Sequence, residues 1–245
     1  MPTNNTYKLE TKRKNLYLRI AKGHFATGRS HINYYIDITT QKSRLSEAKA
    51  VAQELLSYYN ASTVIDAILC LDGTEVIGTC LADELTNNLF LNINAHQTIY
   101  VVTPEHTANS QLIFRDNIAP MIKGKHVLIL AASVVTGYTA NAAIEAVKYY
   151  GGTTVGIASI FATVDECNGY KVQSAFNPTD LPDYATYSSN DCPLCKKGVK
   201  IDALVNTFGF SKLYLTKNEV SKKTLIPRYF FDFEAFTTKT VLKKG

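Results

Sequence analysis

The chain has 245 residues, 46% hydrophobic and 19% charged, the proportions of an ordinary globular protein long enough to bury a substantial core. Its formal charge of +5 is scattered in small clusters such as Lys12 to Lys14, Lys196 and Lys197, and Lys243 and Lys244, which reads as a solvated surface and argues against nucleic acid as a partner. No window of eighteen apolar residues occurs and the first fifteen residues lack an apolar signal segment, so a cytoplasmic location without membrane contact is expected.

In chain order, residues 1–15 are polar and read as a loosely held arm. Turn residues alternating with aromatic and β-branched ones in GHFATGRSHINYYIDI predict a loop or hairpin with a strand over 34–38. The three-four spacing of Val51, Leu55, Leu56 and Tyr59 predicts an amphipathic helix over 46–59, with Ser46 as its N-cap. A strand over 63–71 then leads into the tight turn Asp72-Gly73-Thr74, a helix over 75–85 and a strand over 97–103. Residues 104–112 are a mobile lid or a plain hairpin, and 115–121 a short helix.

The segment HVLILAASVVTGYTANAAIEAVKYYGG organises the chain. It reads as a buried strand over 127–130, a loop over 133–139, and a helix over 140–150 stopped by Gly151 and Gly152. A strand over 153–161 follows. Strands alternating with helices need crossover connections, so an open parallel sheet is expected. Beyond the Asn168-Gly169 turn the periodicity fades, and 170–245 read as a C-terminal extension whose aromatic stretch, 225–236, is expected to pack on the core.

The loop after the central strand carries Thr136, Gly137 and Thr139 and opens a helix, which aims N–H groups and a positive dipole end at one spot, a phosphate-binding arrangement. Neither G-x-G-x-x-G nor G-K-[ST] is present. Five cysteines without a secretion signal argue against a disulfide framework. Cys192 and Cys195 have the C-x-x-C spacing of a zinc knuckle, with Cys167 as a third ligand and a histidine or a second subunit as the fourth; a redox pair and two ordinary thiols are the other readings.

VLILAASVVTGYT resembles the signature of type I phosphoribosyltransferases, a hydrophobic strand, two acidic residues and a loop ending in Thr-Gly-x-Thr. CLDGTEVIG at 70–78 is similar to the family's small pyrophosphate loop, and Gly28-Arg29-Ser30 followed by Tyr34-Tyr35 to the N-terminal segment of orotate phosphoribosyltransferases. The resemblance covers about residues 16–165. It implies an α/β fold with a central, mostly parallel sheet flanked by helices, divided into an N-terminal hood over 1–40, a core over 41–169 and the extension over 170–245. It also implies transfer of a 5-phosphoribosyl group from its pyrophosphate to an orotate-type base, with Mg2+ carried by the pyrophosphate, and a homodimer.

Carried over by residue, Val135, Thr136, Gly137, Tyr138 and Thr139 hold the 5-phosphate; Asp72, Gly73 and Thr74 hold the pyrophosphate; Tyr34, Tyr35 and Asp37 border the base. Segment 104–112 falls at the family's flexible catalytic loop, with Glu105 and His106 as candidate catalytic groups. Three departures stand against this: Ala131 and Ala132 replace the acidic pair, 104–112 has no lysine, and IFATVDE lacks an expected arginine. Three readings remain: an enzyme with substitute acids among Asp72, Glu75 and Glu105, an enzyme for a related ribose phosphate, or a non-catalytic protein that binds a phosphoribosyl ligand or nucleotide.

Overall fold

The structure, a computed structural model, describes residues 6–10, 16–59, 63–87, 93–94, 98–107, 111–181 and 183–213. The aromatic stretch over 225–236 lies outside the described residues. Strands β1 (Thr6–Glu10), β2 (Tyr17–Ala26) and β3 (Ser30–Asp37) form an antiparallel meander. Residues 6–10, expected in a loose arm, therefore form a strand, because Tyr7, Lys8, Leu9 and Glu10 alternate and put Leu9 against the core. Helix α1 (Thr39–Ser43) is followed by α2 (Leu45–Leu56). Ser46 is not the N-cap of α2: the extended residue Arg44 precedes the helix and no side chain caps it.

Next come β4 (Ala67–Cys70), α3 (Glu75–Asn87), β5 (Tyr100–Val102) and a small hairpin, β6 (Glu105–His106) with β7 (Leu112–Ile113). The expected helix over 115–121 is reduced to a 3-10 turn at Ala119–Met121. β8 (His126–Val134), α4 (Tyr138–Tyr149) and β9 (Thr153–Ala162) make the anticipated βαβ unit. Then follow β10 (Glu166–Cys167), β11 (Tyr170–Phe176), β12 (Thr186–Ser188), α5 (Pro193–Lys196), β13 (Ala203–Asn206) and β14 (Gly209–Lys212).

The central sheet has the order β10-β11-β9-β8-β4-β5, parallel from β11 to β5, with only β10 antiparallel. The chain thus has an α/β fold with a mostly parallel sheet flanked by helices. A second sheet, β12-β3-β2-β13-β14 with β1 on β2, forms the hood. The segment after residue 169 contributes to both: β11 joins the central sheet beside β9, while β12 and β13 pair with β3 and β2.

β8 is buried on both faces. Leu128, Leu130 and Ala132 point into the cluster shared with α2, α3 and the hood, while Val127, Ile129, Ala131 and Val134 point into the cluster under α4. Among the described residues no helix is long and apolar enough to cross a membrane.

Hood and core are joined by a buried ionic network. Glu47, 2% exposed in the first turn of α2, accepts from the Tyr17 hydroxyl at 2.7 Å, from Arg19 at 2.9 and 3.0 Å, and from the Thr40 hydroxyl at 2.7 Å. Burial alone would raise its carboxyl, but the Arg19, Thr40 and Tyr17 hydrogen bonds and the Arg19 charge outweigh it and hold Glu47 down to about 2, from 4.5. Because the folded value is depressed, this stabilisation is complete above pH 4.5 and fades as pH falls toward about 2. Glu47→Gln is expected to cost about 3 kcal/mol at neutral pH. Urea melts across pH check this: the gap between wild type and variant narrows below pH 4.5, and a constant gap contradicts the network.

Candidate functional site

The loop after β8 is shaped by three local constraints. Thr163, just past β9, donates its N–H to the Val134 carbonyl and its hydroxyl to the Val135 carbonyl, each at 2.9 Å, which clamps the start of the loop. Gly137 adopts φ +71°, and a Cβ there would stand 2.8 Å from Cys167 Sγ, so both backbone and space call for glycine. The Asn141 N–H bonds the Gly137 carbonyl at 2.8 Å to open the α4 ladder, and no side chain caps the helix. The N–H groups of its first turn therefore precede the intrahelical ladder and face the loop, beside the exposed side chains of Thr136, Tyr138 and Thr139. The helix starts at Tyr138, earlier than residue 140, and Ser133 and Val134 belong to β8, so the cradle is three residues plus a helix end.

This loop floors a cleft of about 410 Å³. The hood supplies the facing wall with Gly28, Arg29, Ser30, Tyr34 and Tyr35, and the β13–β14 turn supplies a third side through Asn206 and Thr207. The Arg29 guanidinium lies 4.0 Å from the centre of the Tyr138 ring, a cation–π contact that joins hood to cradle and adds positive charge at the mouth. Tyr34 and Tyr35 are 5% and 4% exposed; Tyr35 packs edge-on against Phe210, and burial pushes its phenol up.

Among the described residues Asp72 is the only acidic side chain lining the cleft. It sits at φ +58°, a left-handed conformation that a non-glycine residue keeps only where its surroundings enforce it. Burial raises its carboxyl above the usual range, although the Lys42 ammonium, the Ala132 N–H and the Thr207 hydroxyl each pull it part of the way back. The carboxylate of Asp72 thus reaches the backbone of Ala132, one of the two positions where the resembling family carries its acids. Lys42 donates to the carbonyls of Asp72 and Thr207, each at 2.7 Å, and holds an ammonium beside the Asp72-Gly73 turn. Burial lowers its pKa. Nothing in the sequence pattern around Lys42 marked it.

The remaining sequence-derived candidates are placed elsewhere. The Thr74 hydroxyl is fully buried and donates to the Leu71 and Leu130 carbonyls, so it ties strand ends together. The Asp37 carboxylate accepts the Thr39 N–H at 3.0 Å at the start of α1 and does not line the cleft. Glu105 is exposed on the small hairpin, held by two nitrogens of Arg115. His106, exposed beside it, does not line the cleft. Ala131 and Ala132 are 1% and 0% exposed and lie inside the strand.

Cys192 and Cys195 come together with His24 and His31, all four donor atoms lying within 4.8 Å of one another. Cys167 is not part of this group; β10 and the chain around it place its thiol under Gly137. The two histidines flank the turn between β2 and β3, and their spacing in GHFATGRSH was the only sequence trace of the pairing.

No protein-family model matches the chain. It is 29% identical over 184 residues to an orotate phosphoribosyltransferase of Chlorobaculum parvum, covering 74% of this chain and 86% of that protein. It is 25% identical over 187 residues to the orotate phosphoribosyltransferase of Chlorobium phaeobacteroides, covering 75% and 88%. The likeness therefore runs along most of both relatives, not along one motif. A solved orotate phosphoribosyltransferase of Mycobacterium tuberculosis superposes with a TM-score of 0.46 at 18% identity, over 67% of this chain and 92% of that one.

Proposed function

We propose that this chain, which resembles the type I phosphoribosyltransferases of the orotate kind, binds phosphoribosyl pyrophosphate and transfers its phosphoribosyl group to an orotate-type base. The observation that carries this reading is the convergence of an uncapped helix N-terminus, one carboxylate and the hood aromatics on a single cleft. The 5-phosphate takes the N–H and hydroxyl donors of residues 135–139. Lys42 and the Asp72-Gly73 turn face the pyrophosphate, and Tyr34 and Tyr35 border the base. Asp72 accepts from the ribose hydroxyls in place of the acids absent at Ala131 and Ala132.

In the transfer, the bond between ribose C1 and the pyrophosphate oxygen breaks with its electron pair leaving on pyrophosphate, and the base nitrogen lone pair forms the new bond to C1. The protein holds both partners in line and sets the Asp72 charge near the ribose as positive charge builds there. Mg2+ would enter this reading with the pyrophosphate, as part of the substrate, and would supply charge neutralisation for the leaving group. The residues present do not fit a protein-held divalent ion: Ala131 and Ala132 offer only methyl groups, and an ammonium already occupies the Asp72 carbonyl. A homodimer is part of the same proposal, and light scattering checks it.

The burial of Ala131 and Ala132 favours a second reading, a protein that binds the phosphoribosyl ligand or a nucleotide without turning it over. Calorimetric titration with phosphoribosyl pyrophosphate, followed by an assay of orotate consumption with Mg2+, separates the two. Binding with turnover supports the transferase, binding without turnover supports the regulator, and binding of neither phosphoribosyl pyrophosphate nor a nucleotide removes both. Asp72→Asn is expected to weaken the ribosyl ligand by about tenfold and to lower any turnover by about a hundredfold. Unchanged affinity and rate would release Asp72 from the ribose role.

A further inference from the structure

We propose that His24, His31, Cys192 and Cys195 hold a structural Zn2+ ion that fastens the C-terminal strap to the hood. His24 Nε2 lies 3.1 Å from His31 Nδ1, 3.5 Å from Cys192 Sγ and 3.7 Å from Cys195 Sγ, and Cys195 Sγ lies 3.2 Å from His31 Nδ1. A tetrahedron built with zinc–nitrogen bonds of about 2.05 Å and zinc–sulfur bonds of about 2.3 Å has nitrogen–nitrogen edges of about 3.3 Å and nitrogen–sulfur edges of about 3.6 Å. These four of the six edges differ from the ideal values by at most about 0.4 Å, and the other two, from Cys192 to Cys195 and to His31, lie within 4.8 Å, so an ion is taken at the centre after a shift of about 1 Å or less.

The surroundings orient the ligands. His24 Nδ1 faces the Val199 carbonyl at 2.9 Å; a carbonyl only accepts, so Nδ1 carries the proton and Nε2 turns its lone pair to the cluster. The His24 backbone is fixed by Asp202, whose carboxylate accepts its N–H at 2.8 Å and whose N–H donates to its carbonyl at 2.7 Å. A Cβ at Gly23 would stand 2.5 Å from that Asp202 oxygen, which explains the glycine before His24. On the other side Pro193 opens the single turn of α5, and Gly198, at φ +72°, closes it with its N–H on the Cys195 carbonyl at 2.9 Å. One helical turn thereby brings both thiols to the same side.

The competing readings leave parts of this arrangement without a purpose. A disulfide between Cys192 and Cys195 would engage neither histidine, and two thiols in a plain turn would not gather two imidazole nitrogens. Four protein ligands complete a tetrahedral shell, which makes the ion structural rather than catalytic. Its ligands come from segments 168 residues apart, His24 and Cys192. From the cluster the strap passes Asp202 into β13 and β14, whose turn bears the Asn206 and Thr207 that wall the cleft. Metal content reads this site without any phosphoribosyl ligand, so its outcome is separate from that of the transferase proposal.

Metal analysis of the full chain purified without chelator is expected to find about one zinc per chain. Cys195→Ser and His31→Ala are expected to lose it, and Cys167→Ser to keep it. Where a variant fails to fold, the wild-type chain stripped of metal and given Co2+ is expected to show the strong visible bands of a tetrahedral cobalt ion and a thiolate-to-cobalt charge-transfer band. Stripping is expected to lower the melting temperature, and returning Zn2+ to restore it. Zinc well below one equivalent with no tetrahedral cobalt spectrum overturns the proposal, as does a Cys192–Cys195 disulfide in the mass of fresh protein, or full zinc retention in Cys195→Ser. A melting temperature indifferent to a proven loss of zinc would overturn the fastening role.

Discussion

Restoring carboxylates with Ala131→Asp and Ala132→Asp together is expected to unfold the protein at neutral pH, not to improve a ribosyl or magnesium site. The two methyl groups point to opposite faces of β8, Ala132 into the cluster with α2 and α3 and Ala131 into the cluster under α4, and both are essentially inaccessible. An aspartate at either place enters apolar packing, and its folded-state pKa rises by several units. Each unit corresponds to about 1.4 kcal/mol, so each substitution costs on the order of 4 kcal/mol at pH 7 before any steric cost is added. Because these folded values are raised, the penalty is small below the unfolded aspartate value of about 3.9 and grows as pH rises above it. Circular dichroism reads the unfolding of the double variant at pH 7, and urea melts of each single variant at pH 4 and pH 7 read the pH-dependent penalty. A double variant as stable as wild type at pH 7, with tighter Mg2+-dependent binding, would mean that the strand end opens into the cleft and that Asp72 has not taken over the acidic role.

Gly137→Ala is the second large effect, and it acts on fold and ligand together. Holding an alanine at φ +71° costs about 1–2 kcal/mol, and its Cβ would press on Cys167 Sγ from 2.8 Å, an overpacking cost of about 1–3 kcal/mol. The summed loss is about 2–5 kcal/mol, with binding of phosphoribosyl pyrophosphate weakened more than tenfold because the cradle N–H groups move with the loop. Pairing the change with Cys167→Ala separates the two causes: the steric part is expected to return and the backbone part to persist. If Gly137→Ala alone leaves both stability and affinity intact, the left-handed corner at residue 137 is not the feature that aims the helix end at the ligand.

Both effects trace to one segment, and that segment was well marked by its residues. The apolar run 127–130, the Thr136 to Thr139 loop and the glycines at 151 and 152 have meanings set within a few neighbours, so strand, corner and helix were legible, with β8 running four residues further and α4 starting two earlier. The same holds for the alternation of strands and helices that implied a parallel sheet. The weaker expectations failed where a local signal was outvoted. Ser46 has the chemistry of an N-cap, but the cap position is the extended residue Arg44, two residues earlier, and Thr74 has the chemistry of a pyrophosphate ligand, but its hydroxyl is taken by two strand-end carbonyls.

What the amino-acid order determined by itself was therefore periodicity and corner chemistry: which stretches become strands and helices, and that a phosphate-ready loop follows the central strand. Tertiary structure alone decided which distant groups meet. It moved Cys167 under Gly137 and put His24 and His31 against Cys192 and Cys195 instead. It brought Asp72 to the Ala132 backbone, set Lys42 beside the Asp72-Gly73 turn, and buried the alanine pair. The physical reason is that periodicity and turn preference are interactions along the chain, whereas ligand sets, burial and charge pairing are interactions across it, and their partners are chosen only when the two sheets close on one another.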